Sequence, residues 1–395
     1  MMSLLVLASL LTLAWILSVV LARLRVPDIL GFLALGVLFG PLGLRELNVS
    51  PASSGVATGV AVAASFLLYE GARGLDIDQL RSAWRGLILL VTGGVLVTAA
   101  LSAGAAHAAF GWDWQTAILL GVVIACTDPA AVIPVMRQVG VAARVSNVAQ
   151  AESALNDATG AILTTVTIAV IREGTFSLPA SLWAFFYMGL GGIAIGVAIA
   201  AVTGWIAHGQ RLRGLDLGAH NQQVLEFITV LFTYGVATHL GCSGYIAAFA
   251  AGLVHSRTAM KAPYDTEPFF STTSFLARLG VFVILGATVD PRAAAVPFAA
   301  TSLFVAAFML VVRPIAVFGS LLPDRRPKWT LRELLMLSWV RETGVIPAAL
   351  AANVAALALP NAGAIVDKTA AVIVVTVIVQ GLTTGPLARR LRLAA

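Results

Sequence analysis

Thirteen apolar stretches follow one another along this chain, most of them near the roughly 20 residues a helix needs to cross a bilayer. They cover 2–22, 28–44, 54–72, 85–110, 114–136, 149–171, 180–207, 221–239, 241–255, 271–289, 294–318, 334–356 and 364–388. Short connections carrying Gly, Pro and Arg separate them, as helix connections do. Composition agrees: 59% of the 395 residues are hydrophobic and only 11% charged. A soluble chain carries about twice that charged fraction. The fold class expected is an all-α polytopic membrane protein of about 13 transmembrane helices forming a single membrane domain over 1–395. The opening "MMSLLVLASLLTLAWILSVVLARLR" has no basic leader and no small-residue cleavage site, so a retained first span is expected. Cys126 and Cys242 lie in apolar stretches without metal or disulfide spacing, and read as small core residues.

The basic residues sort by side. With thirteen spans, eighteen Lys and Arg fall on the side of the odd-numbered connections and the C-terminus, and four on the other: Arg45, Arg172, Arg292 and Lys368. The positive-inside rule places the eighteen in the cytoplasm. The N-terminus is then outside and the C-terminus cytoplasmic, in a cell (cytoplasmic) membrane. The net charge of +6 is a topology signal, and nucleic acid is not an expected partner. Three arginines remain. Arg278 is expected to be structural, Arg313 to snorkel from near the inner end of its span, and Arg341 to need a partner at depth.

Ionisable groups at membrane depth are costly and mark ion pathways or pairs. Polar and ionisable groups cluster in four places: Glu70 in "FLLYEGARGL", Thr127 and Asp128 in "ACTDPAAVIPV", Glu152, Ser153, Asn156 and Asp157 in "ESALNDATGAIL", and Arg341 with Glu342 in "WVRETGVIPAAL". Pro129 removes a backbone donor and pushes Asp128 toward an extended conformation, so the fifth span is expected to break near Thr127–Asp128. Gly344 and Pro347 signal a break in the twelfth. Paired interrupted spans in oppositely oriented halves are the sequence mark of a transporter site. The expected plan is two inverted repeats, about 1–171 and 221–388, joined by a linker helix at about 180–207, with discontinuous helices 5 and 12 crossing.

At 100° per residue, Ser153 and Asp157 share one helix face, and Glu152 and Asn156 a neighbouring one. Asp157 and Ser153 therefore offer oxygens to a hard monovalent cation, while Glu152 points toward a structural partner. Arg341 is the buried candidate, because a guanidinium stays charged and matches a carboxylate. The five histidines, His107, His208, His220, His239 and His255, fall at loops or span ends and are expected to be solvated structural residues.

These motifs, together with "GFLALGVLFGPLGL", "FTYGVATHLGCSGYIAAFAAGLV" and "FVILGATVD", resemble the sodium/proton exchangers of the NhaP type among the monovalent cation:proton antiporters, over about residues 28–388. The resemblance implies thirteen helices, a homodimer, and an ion-carrying core of crossed broken helices. It places Asp157, Asn156, Asp128, Thr127 and Ser153 at the ion site, with Na+ held by Asp157, Ser153, Asp128 and Thr127. It puts Glu70 near the cytoplasmic approach and pairs Glu152 with Arg341. The family's segment around that arginine reads like G-L-R-G-A; here Glu342 and Thr343 follow Arg341, making Glu342 a competing partner. Related potassium/proton members often carry a cytoplasmic regulatory domain, and the sequence ends about seven residues past the last span.

The function expected is secondary active exchange of Na+ (with K+ and Li+ as alternatives) for H+. It would be electroneutral, because cation and proton compete for one midplane carboxylate. No cofactor is expected and no enzymatic activity; the partners are the transported ions and the lipid bilayer. The rivals are a Na+-coupled symporter of a small organic solute, a K+/H+ antiporter lacking its regulatory domain, a channel, for which no filter-like loop is present, and a non-transporting scaffold.

Overall fold

A computed structural model describes residues 4–24, 27–47, 53–75, 84–127, 136, 140–212, 218–257, 267–324, 328–357 and 359–393. Among the described residues the secondary structure is helical throughout. In chain order the helices are α1 (Leu4–Leu24), α2 (Asp28–Phe39), α3 (Ser54–Arg73), α4 (Trp84–Phe110), α5 (Trp114–Ile124), α6 (Ala143–Glu173), α7 (Leu178–Leu212) and α8 (Gly218–His239). They continue with α9 (Gly244–His255), α10 (Glu267–Thr288), α11 (Pro291–Ala295), α12 (Phe298–Leu321), α13 (Leu331–Trp339), α14 (Val345–Ala356) and α15 (Ala362–Arg390).

Eight of these are long and apolar enough to cross a membrane, and four apolar ones, α2, α5, α9 and α14, are shorter. A 12-residue helix spans about 18 Å against a hydrocarbon core of about 30 Å. Local chemistry sets these lengths. Gly40 ends α2 in an extended conformation just before Pro41, although the apolar stretch runs on to residue 44. Val340–Gly344 are not helical, so the twelfth stretch is two helices. Pro347 falls in the first turn of α14, where its missing N–H costs nothing. Starts are capped by side chains: Asp113 on α5, Ser243 on α9, and a Thr330–Glu333 capping box on α13.

The chain divides into two compact units, the first comprising residues 1–60, 77–160 and 279–395, and the second 61–76 and 161–278. Within each, small residues let helices approach where lipid offers no hydrophobic drive to association. In the first unit Gly36 of α2 and Gly286 of α10 lie back to back, and Gly121 of α5 meets the Ala99 carbonyl of α4. In the second, Gly192 and Gly196 of α7 lie against Ser243, Ala247 and Ala250 at the start of α9.

Candidate functional site

The site grows from one stretch of α6 within the first unit. The helix is continuous from Ala143 to Glu173, so the five-residue interval from Glu152 to Asp157 sets the two carboxylates about 140° apart. Both are buried, as are Ser153, Asn156 and Thr127.

The end of α5 meets this helix. After Ile124 the chain leaves the helix, and Thr127 would carry orphaned backbone groups. Two α6 side chains bind them. Thr127 N–H donates to Asn156 Oδ1 at 3.2 Å, Asn156 Nδ2 donates to Thr127 Oγ1 at 2.6 Å, and Ser153 Oγ donates to the Thr127 carbonyl. The Cys126 thiol points at the Asp157 carbonyl, 3.8 Å away. Gly160 permits the approach, because a Cβ there would collide with Cys126 Sγ. Asp128, Pro129 and Pro134 lie outside the described residues.

Glu152 faces the other way. Its Oε1 accepts from Arg341 Nη2 and from Asn156 Nδ2, the latter at 2.5 Å. Arg341 comes from the non-helical link between α13 and α14, and the pair is 3% and 2% exposed. Two buried ions in contact avoid the penalty either would bear alone. Thr343 of the same link donates its backbone N–H to Thr376 Oγ1 of α15 at 3.3 Å. Asn156, placed among the ion-site residues by resemblance, has both ends of its amide engaged with Thr127 and Glu152.

Arg313 departs from the expectation of snorkelling. It is wholly buried, with its guanidinium 4.7 Å from the centre of the Phe308 ring. The physical reason is a π-helical turn at Phe308–Val312 immediately before it; the extra residue in that turn rotates the face that follows.

Glu70 belongs to the second unit, where it accepts from the Ser274 hydroxyl. That unit also holds ionisable residues the sequence reading passed over. Glu226 is fully buried on α8, and the signal was available: a carboxylate inside the apolar stretch 221–239, one turn after Gln222. His255 is fully buried too, against the expectation of a solvated ring, because short α9 carries it under its neighbours in that unit. His220 and His239 are exposed. In the first unit Lys368, read only as an outer-side charge, is 4% exposed. Its ammonium lies 2.7–3.1 Å from four acceptors, the Ala293, Ala294 and Val296 carbonyls and Thr301 Oγ1, which share its three hydrogens.

Comparison with known proteins gives a consistent result. A family model described as sodium/hydrogen exchanger, transmembrane, matches residues 7–390. The chain is 24% identical over 394 residues to the K+/H+ antiporter NhaP of Alkalimonas amylolytica, covering 99% of this chain and 67% of that one. It is 26% identical to the K+/H+ antiporter NhaP2 of a Shewanella strain, covering 95% and 64%, so it spans about two thirds of these relatives' length. It is 28% identical to the Na+/H+ antiporter NhaP of Pseudomonas aeruginosa, covering 82% and 79%. In fold it resembles the solved structure of the sodium proton antiporter MjNhaP1 from Methanocaldococcus jannaschii, with a TM-score of 0.81 over 98% of this chain and 97% of that one at 24% identity.

Proposed function

Because the chain belongs to the sodium/hydrogen exchanger family, we propose that it exchanges a monovalent cation, Na+ in the first instance, for H+ by competition at Asp157. The observation that carries this reading is the division of labour on α6. Glu152 is joined to Arg341, while Asp157 lies about 140° round the helix from it, with its backbone carbonyl facing the Cys126 thiol at the opened end of α5, where Ser153 binds the Thr127 carbonyl. A hard cation asks for several oxygens and little else, and a carboxylate, a hydroxyl and backbone carbonyls at a helix break are such a set. In this reading Asp157, Ser153, Thr127 and Asp128 hold the cation. Asn156 is a strut that fixes Thr127 against α6.

A proton on Asp157 removes the charge that attracts the cation, and a cation there displaces the proton. One charge then crosses each way, and the membrane potential, worth about 2.3 kcal/mol per charge per 100 mV, has no net grip. The protein works as a homodimer in the cytoplasmic membrane, with the N-terminus outside, the C-terminus inside, and two inverted repeats whose interrupted fifth and twelfth apolar stretches, 114–136 and 334–356, cross at the site.

The K+/H+ relatives support a second reading with K+ as the cation, since both ions take oxygen ligands. Reconstituted protein, with internal pH followed on adding Na+, Li+, K+ or choline in turn and a potential-sensitive dye alongside, tests both. Na+-driven alkalinisation or acidification that ignores an imposed potential is expected. A response to K+ alone replaces the cation, and no response to any alkali cation ends the antiport reading.

A further inference from the structure

The second unit contains a set of buried ionisable groups that the exchange above does not use. Its centre is the Tyr69 hydroxyl, near the end of α3. That oxygen lies 2.6 Å from His255 Nδ1 on α9 and 3.2 Å from Glu226 Oε2 on α8. Tyr69, His255 and Glu226 are all 0% exposed. α9 comes this close because Gly252 lies directly against the Tyr69 backbone carbonyl.

The outer ends of the chain are anchored. His255 Nε2 sits 3.0 Å from the Ala200 carbonyl and 3.1 Å from Thr203 Oγ1, both on α7. A carbonyl only accepts, so Nε2 keeps its hydrogen whatever the charge on the ring. At the other end Gln222 Nε2 donates to Glu226 Oε1 at 3.1 Å, and Arg73 Nε lies 3.3 Å from Oε2. Arg73 also covers the Phe270 ring of α10, and Glu70, the residue after Tyr69, is held by Ser274 of the same helix. Arg73 is thus the charge facing the triad from α3, while α7 and α10 present it neutral groups.

Counting hydrogens exposes what the arrangement needs. With neutral His255 and ionised Glu226, Nδ1 and Oε2 are both acceptors, and Tyr69 has one hydrogen for the two. One added proton satisfies both contacts. Placed on the ring, Nδ1–H donates to the Tyr69 oxygen and the Tyr69 hydrogen goes to Glu226. Placed on the carboxyl, Glu226 donates to Tyr69 and Tyr69 donates to Nδ1. The two forms interconvert by shifting hydrogens along two hydrogen bonds, and Tyr69 remains a neutral phenol in each.

We propose that Glu226, Tyr69 and His255 bind one proton as a unit, shared through the Tyr69 hydroxyl, at a site distinct from Asp157. The proton comes from water and adds one positive charge to the cluster; no other bond changes. The inference does not depend on which cation is exchanged.

Two spectroscopic readings on detergent-solubilised full chain test it between about pH 4 and about pH 9. The His255 ring is followed by NMR of protein labelled with carbon-13 in its histidines, its signal identified by its loss in His255→Gln. The protonated carboxyl of Glu226 is followed in infrared difference spectra and identified by its loss in Glu226→Gln. Both groups are expected to respond at one shared midpoint. Tyr69→Phe deletes the bridging hydroxyl and is expected to move the His255 midpoint by about one pH unit, tenfold in proton affinity. Glu226→Gln, a second isosteric change, is expected to move it as far. Asp157→Asn is expected to leave it in place, so a failure of the cation site reads differently from a failure here. If neither group responds over this range, or if Tyr69→Phe and Glu226→Gln both leave the His255 midpoint unmoved, the shared site does not exist.

Discussion

Glu152 in the first unit accepts from the Arg341 guanidinium and from the amide of Asn156, one turn along its own helix. Glu226 in the second unit pairs with the Arg73 guanidinium and accepts from the amide of Gln222, one turn back on its own helix. The two carboxylates are buried to the same depth by the same means, and they differ in what lies one contact further. Beyond Asn156 comes Thr127, whose hydroxyl and backbone do not titrate. Beyond Glu226 come a phenol and an imidazole. A buried charge pair that ends in a peptide fixes geometry; one that ends in an imidazole can store a proton. The first arrangement suits the rim of the proposed cation site, which must keep its shape, and the second does not.

The largest effects should fall on the rigid pair. Arg341→Gln and Glu152→Gln each leave a buried charge uncompensated, which costs about 3–5 kcal/mol, and the double variant should recover part of that loss. Thermal unfolding in detergent measures the cycle, and simple additivity would break the contrast by removing the coupling. Arg73→Gln should cost less, about 1–3 kcal/mol, because Arg73 is 15% exposed where Arg341 is 3%. A loss equal to that of Arg341→Gln would make the two pairs equivalent.

Next comes the packing that presses Thr127 against α6. Gly160→Ala introduces a methyl into Cys126 Sγ and should cost about 1–3 kcal/mol, with slower exchange. Cys126→Ala in the same chain removes the colliding sulfur and should restore both. A Gly160→Ala protein of unchanged stability would show that the junction yields and is not rigid.

The smallest effect lies outside the membrane. Asp113 caps α5 by accepting from Thr116 N–H at 3.0 Å and Thr116 Oγ1 at 2.7 Å, which hold its carboxyl below the usual range. A depressed folded-state value means the stabilisation is present above the ordinary carboxylate range and lost as pH falls through the lowered one. Asp113→Ala should therefore cost about 1 kcal/mol near neutrality, and the gap from wild type should narrow in acid. A gap that widens in acid would mean that the protonated side chain is the better cap.

The all-helical membrane class could be read from residue order, because successive long apolar stretches demand it. The break in the twelfth stretch was legible because Gly and Pro act locally, through the backbone. What crosses between helices was less so. The pattern separated the faces of Glu152 and Asp157, but nothing in it says that Asn156 spends its amide on Thr127, since that depends on where α5 ends. Arg313 was misread because one residue inserted in a π-helical turn re-aims everything after it. His255 was misread because a position at a helix end implies solvent only when the neighbours are short. Glu226 was overlooked for want of a motif, though a carboxylate in an apolar stretch is a signal by itself.

If Asp157 exchanges a proton for the cation while Glu152, one helix face away, does neither, protons are released from Asp157 alone when Na+ is added to weakly buffered, detergent-solubilised protein, with K+ added in parallel. At a pH where the site is mostly protonated, wild type should release about one proton per cation bound, as competition at a single carboxylate requires. Asp157→Asn, which keeps the shape and removes the titrating group, should remain folded and release none. Release at the wild-type level from folded Asp157→Asn protein would place the exchanging group elsewhere.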